Sequence, residues 1–187
     1  MPVTPDATDG ARVLDLLMPL LYFYNQDELP LPRVEFMDGA AMPLPWRSLL
    51  VHTSDMTPTL RNHHRSVITL EVIQAEMSAD YVMRQVVLHR ESDNTPVEYG
   101  AIGIQLEGFP EKVKQLIREG HQPLGGILES EGIPHQSAPR AWFSIEADEH
   151  TSELLRVAPG TLLYGRCNAL THPGGIVFAD IVEILPP

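Results

Sequence analysis

The chain has 187 residues, 43% of them hydrophobic and 20% charged, which suits one globular domain with a substantial core. Its 25 acidic and 13 basic residues leave a net charge of −12. That field repels nucleic acid and anionic membranes, and any anionic ligand would need a local basic site to override it.

A single cysteine, Cys167, excludes an internal disulfide framework and a cysteine-based zinc site. Met1 to Asp6 lack the basic start and long apolar run of a signal peptide. The apolar stretch from Val13 to Tyr24 is broken by Asp15 and Pro19 and is too short to span a bilayer. A cytoplasmic protein that engages neither membrane nor nucleic acid is expected.

Apolar residues at Val13, Leu14, Leu16, Leu17, Leu20 and Leu21 follow helical spacing and predict a helix over 9–24, with Asp9 near its N-cap. Residues 26–45, rich in Pro, Gly and acids, read as a connecting segment. Helices are expected over 43–52 and 56–63, joined by Thr53-Ser54-Asp55. This helix-turn-helix pair lacks the basic face of a DNA reader.

The period then changes to two. Strands are expected over 66–75, 80–89 and 97–106, with a polar turn from Arg90 to Pro96. An amphipathic helix over 109–119, ended by Gly120, precedes a short helix over 123–130. A strand over 136–147, a helical turn over 148–156 and a terminal hairpin, 161–170 with 176–185, complete the chain. Strands in two groups separated by helices argue for an α+β fold with an antiparallel sheet.

Five short motifs recur in order along this framework: Ser54-Asp55-Met56-Thr57, Tyr81-Val82-Met83-Arg84, Gln122-Pro123-Leu124-Gly125, Leu163-Tyr164-Gly165-Arg166 and Glu183-Ile184-Leu185-Pro186-Pro187. Together they resemble the chorismate lyase family. The resemblance covers residues 43–187 and implies a six-stranded antiparallel sheet with packed helices and an internal ligand cavity. Residues 1–42 form an N-terminal helix and Pro-rich extension without a clear counterpart. The same fold serves as the effector domain of transcription regulators that sense small molecules.

The resemblance implies that Met56 and Leu124 frame a ligand through their backbones. It also implies that Arg84 binds a ring carboxylate and that Glu183 faces the hydroxyl end. Arg166 and Arg140 are alternative candidates for a second carboxylate. The expected reaction is elimination of pyruvate from chorismate to give 4-hydroxybenzoate, catalysed by Glu183 and Arg84. Aromatisation drives it, so no cofactor is expected, and no metal.

The residue types suit these roles. A guanidinium offers a planar fork of donors and stays charged when buried. A glutamate can deliver or accept the proton that the elimination requires. Plainer accounts stand beside each role. Arg84 shares a strand face with Val82 and Val86, where an arginine is either a ligand group or half of a structural ion pair, with Glu183 as a natural partner. Met56 and Leu124 fit ordinary core positions. His63 and His64 are adjacent on a helix and point apart, which disfavours one shared metal. Cys167 reads as a small buried hydrophobe. Gly125-Gly126 lacks the further glycines of a dinucleotide loop.

Two other functions compete with the lyase: a non-catalytic binding or sensor protein for an aromatic acid, and an enzyme acting on a different anion. A monomer or small homo-oligomer is expected, with the N-terminal helix available to pack on another subunit. Only about 42 residues precede the expected domain, and they lack the winged helix of a DNA-binding half.

Overall fold

A computed structural model of the protein describes residues 15–187. The expected N-cap at Asp9 lies outside the described residues. Seven strands form one antiparallel sheet: β1 (Val34–Met37), β2 (Ile68–Met77), β3 (Tyr81–Arg90), β4 (Thr95–Gln105), β5 (Gln136–Glu146), β6 (Leu162–Thr171) and β7 (Val177–Leu185). Their order is β1-β5-β6-β7-β4-β3-β2. The helices are α1 (Met18–Gln26), α2 (Trp46–Leu50), α3 (Met56–His64), α4 (Glu111–Glu119), α5 (Leu124–Ser130) and α6 (Glu149–Leu155).

The α+β class and the antiparallel sheet match expectation, but the sheet has seven strands rather than six. The extra strand is β1, inside the segment read as a connection. It pairs with β5 from Val34↔Ile145 to Met37↔Trp142. Four residues between prolines and acids carry too little alternation to be recognised as a strand; a preformed edge supplies the pairing that they lack alone.

One face of the sheet is covered by α1 and α6. Leu20, Phe23 and Tyr24 of α1 are fully buried in a core with Val87, Tyr99, Phe143, Cys167 and Val182. The apolar stripe of α1 is thus used inside its own chain. Each large side chain buried this way contributes about 1.5–3 kcal/mol. Asp148 caps α6 by accepting from the Thr151 amide at 2.8 Å, and its other oxygen accepts from the Tyr24 hydroxyl at 2.6 Å. This ties α1 to α6 across the core.

The opposite face carries two separate apolar clusters. Val82, Ile102 and Leu170 meet α4 and α5, whereas Leu88, Val97 and Leu185 meet α2 and α3. The strip of sheet between them bears the buried Arg84, Glu98, Arg166 and Glu183. Strands β3, β4 and β7 are buried on both faces, so alternation along them separates two interiors rather than core from solvent. Among the described residues no helix is long and apolar enough to cross a membrane.

Gly165 permits the close approach of β5 to β6 and β7. A Cβ there would collide with the buried Phe143 ring and lie 2.6 Å from the Glu183 carbonyl oxygen. Gly126, within α5, has nothing within 4 Å of its would-be Cβ. Gly165→Ala is therefore expected to lose about 1–3 kcal/mol or more, while Gly126→Ala gains up to about 1 kcal/mol from helix propensity. Urea denaturation of the two variants checks this; equal effects would contradict the packing described.

Candidate functional site

Between the two apolar clusters lies a cavity of about 560 Å³ of atom-free space, part of it open to solvent. Its floor is the strip of β3, β4, β6 and β7; its walls include Met56 and Thr57 at the start of α3 and Leu124 and Gly125 at the start of α5. Gly125 allows these two helices to touch, because a Cβ there would lie 3.1 Å from the Thr57 hydroxyl. Asp55 occupies the N-cap position of α3 but makes no side-chain cap bond. Its carboxylate instead accepts from His135 at 2.7 Å, joining the α3 entry to the loop before β5.

Arg84 lines the cavity and is buried, at 2% exposure. Its Nη1 donates to the Ile117 carbonyl in the last turn of α4 at 3.1 Å. A helix C-terminus is a favourable seat for a cation. Its Nε is buried with no partner, and it makes no ion pair among the described residues. Burial lowers the guanidinium to about 10, still charged at neutral pH. The alternative in which Arg84 pairs with Glu183 is not what the structure shows.

Glu183 is taken by Arg166. The two face each other in register across β6 and β7. Arg166 Nε donates to Glu183 Oε2, and Nη2 approaches Oε1 at 3.5 Å. Arg166 is completely buried. Its remaining donors reach the carbonyl oxygens of His52 at 3.1 Å and Ser54 at 3.3 Å, in the segment leading to α3. Burial and the neighbouring Arg166 together lower the His52 imidazole, which keeps it neutral beside the guanidinium.

Arg140 lies elsewhere. It is exposed and paired with Asp180 at 2.8 Å, and it does not line the cavity. The Pro139/Ala141 irregularity in the β5–β6 pairing breaks strict alternation at this position. Cys167 is on the opposite face, its thiol pushed up to about 12 by burial, as befits a core side chain.

Sequence reasoning missed Glu98. This residue of β4 is buried, lines the cavity and leaves Oε2 without a hydrogen-bond partner. Burial above all, reinforced by Glu183 and opposed by Arg166, pushes its carboxyl well above the usual carboxylate range. Nothing in its sequence position just after a polar turn marks it, and only assembly of the sheet between two helical layers buries it.

No protein-family model and no curated protein matches the chain. Solved structures do. PhnF from Mycobacterium smegmatis is similar at 12% identity, over 72% of this chain and 64% of that one, with a TM-score of 0.55. The effector domain of PhnF from the same organism is similar at 12% identity, over 70% of this chain and 87% of the domain, with a TM-score of 0.52. A GntR-family transcriptional regulator from Enterococcus faecalis V583 is similar at 12% identity, over 65% of this chain and 92% of that one, with a TM-score of 0.42.

At these identities the likeness shows a shared fold, that of an effector domain. The expectation of a chorismate pyruvate-lyase, a cofactor-independent carbon–oxygen lyase, is corrected: the PhnF domain that this chain resembles is named as an effector domain, not as a lyase. The physical reason lies in the site. Glu183, the expected proton carrier, is held in a buried pair by Arg166.

Two outcomes distinguish the charged residues. Glu183→Ala leaves Arg166 buried without its partner and is expected to cost about 3–5 kcal/mol. Arg84→Met removes a buried charge that no carboxylate satisfies, and is expected to leave stability within about 1 kcal/mol of wild type or raise it. Chemical denaturation measures both, and a larger loss for Arg84→Met would contradict the assignment.

The raised Glu98 carboxyl makes a pH prediction. The folded protein retains a proton that the unfolded chain releases. The resulting stability is fully present below the ordinary glutamate range and is lost as pH rises toward the folded value. Glu98→Gln has no such ionisation. The thermal stability of Glu98→Gln relative to wild type should therefore increase from about pH 4.5 to neutrality. A pH-independent difference would contradict the reading.

Proposed function

We propose that this chain is a small-molecule binding module of the sensor type, and that its cavity holds an aromatic acid by its carboxylate. The observation that carries the reading is Arg84: a buried, charged guanidinium that lines a cavity, bonds to one helix-terminal carbonyl and leaves a donor unused. Leaving a buried donor unmade costs about 1–3 kcal/mol, more when it is charged, and a bound anion removes that cost. The chain's net charge of −12 makes this local cation the feature that admits an anion at all.

Met56 and Leu124 supply apolar walls at the starts of α3 and α5, which suits a flat ring. The Arg166–Glu183 pair is assigned a structural role, fastening the approach to α3 onto the sheet. Arg140 is assigned no role in binding. Resemblance to effector domains supports the sensor reading over catalysis.

Isothermal calorimetry with benzoate and 4-hydroxybenzoate tests the proposal. Both are expected to bind wild type. Arg84→Ala, checked for an unchanged melting temperature, is expected to weaken binding by about 10- to 100-fold. Arg84→Lys should restore only part of it, because a lysine lacks the planar fork. Chorismate incubated with the protein should release no pyruvate. Binding that survives Arg84→Ala unchanged would overturn the reading.

A further inference from the structure

The position of Glu98 argues for a function in the cavity. It is 4% exposed, faces the cavity and has an unpartnered Oε2. Among the described residues no basic side chain forms an ion pair with it. Arg166 is committed to Glu183 and to the carbonyls of His52 and Ser54. A leucine or glutamine would fill the same volume without burying a carboxyl group unmade, so stability alone does not explain a glutamate here.

The register places Glu98 relative to the anion site. Arg84 pairs with Ile102 on β4, and Glu98 lies on the same face four residues earlier, about 13 Å along the strand. Gly100 lies between them. A Cβ there would sit 3.2 Å from Glu98 Oε1 and 3.4 Å from Val86, so its absence keeps the floor open along the line joining the two residues.

The charges also add up to a definite preference. Arg166 and Glu183 cancel as a pair, Asp55 at the cavity wall is engaged by His135, and Arg84 is left as the lining cation without a carboxylate partner. The environment that raises the Glu98 carboxyl favours its neutral form.

Resting on the reading of Arg84 as an anion site, we propose that Glu98 is a second recognition point in the same cavity. There it donates its carboxyl proton to a hydrogen-bond acceptor at the far end of the ligand. The cavity thus selects singly charged acids that carry a neutral acceptor opposite the carboxylate. It disfavours acids bearing a second negative charge, and zwitterions gain nothing at the far end.

Para-substituted benzoates test this with the intact protein by calorimetry near pH 6.5. Plain benzoate reports on Arg84 alone. 4-Acetylbenzoate adds an acceptor, 4-isopropylbenzoate has the same shape without one, and 4-(aminomethyl)benzoate adds a cation. Wild type is expected to prefer the acetyl over the isopropyl compound by about tenfold. Glu98→Gln, whose amide still donates, should retain most of that preference, and Glu98→Leu should abolish it.

Equal affinity for the acetyl and isopropyl compounds, with benzoate bound, would overturn the Glu98 proposal and leave the Arg84 reading intact. A preference for the aminomethyl compound would also overturn it, by showing an ionised Glu98. Failure of benzoate to bind would overturn both readings.

Discussion

The buried pair between Arg166 and Glu183 is the constraint on which the site depends. It joins two adjacent strands in register, and the same guanidinium reaches up to two backbone carbonyls that precede α3. One side chain thereby fixes the floor of the cavity and the position of one wall. Such a pair is not a strong source of net stability, because desolvating both charges offsets their attraction. What it does is specify: a charged group that must be satisfied leaves few alternative positions for the segment carrying His52 and Ser54.

The pair has a second consequence. By occupying Glu183 it leaves Arg84 without a carboxylate, and the helix-terminal carbonyl of Ile117 only partly satisfies it. The cavity therefore holds a cation without a carboxylate partner inside a strongly acidic protein. It also leaves Glu98, near a carboxylate already paired, in a setting that favours its neutral form. The arrangement along one strip of sheet, a cation at one end and an acid with a raised pKa toward the other, follows from which arginine the central glutamate faces.

Much of this was legible in the sequence. Turn residues and the change of period placed every element from α2 onward to within a few residues, and the Val82–Arg84–Val86 alternation put Arg84 on an interior face. Gly120 ends α4 in the left-handed conformation that the sequence suggested. What sequence could not provide was pairing. Arg84, Arg140 and Arg166 are alike as letters, and only strand order decides that Arg166 lies opposite Glu183 while Arg140 faces Asp180 at the surface. Strand β1 is too short to signal itself, and α1 reads as a free amphipathic helix until the sheet that receives Phe23 and Tyr24 exists. Glu98 escaped notice because β4 is buried on both sides, a condition that composition does not reveal.

The central claim is that Arg84 is a buried cation awaiting an external anion. The most direct measurement is a crystal structure of the protein grown with benzoate. The account predicts the carboxylate in the cavity, within hydrogen-bond distance of Arg84 Nε, with Arg166 still on Glu183. A structure in which Glu183 or Glu98 closes on Arg84, or in which benzoate occupies only the surface, would contradict it.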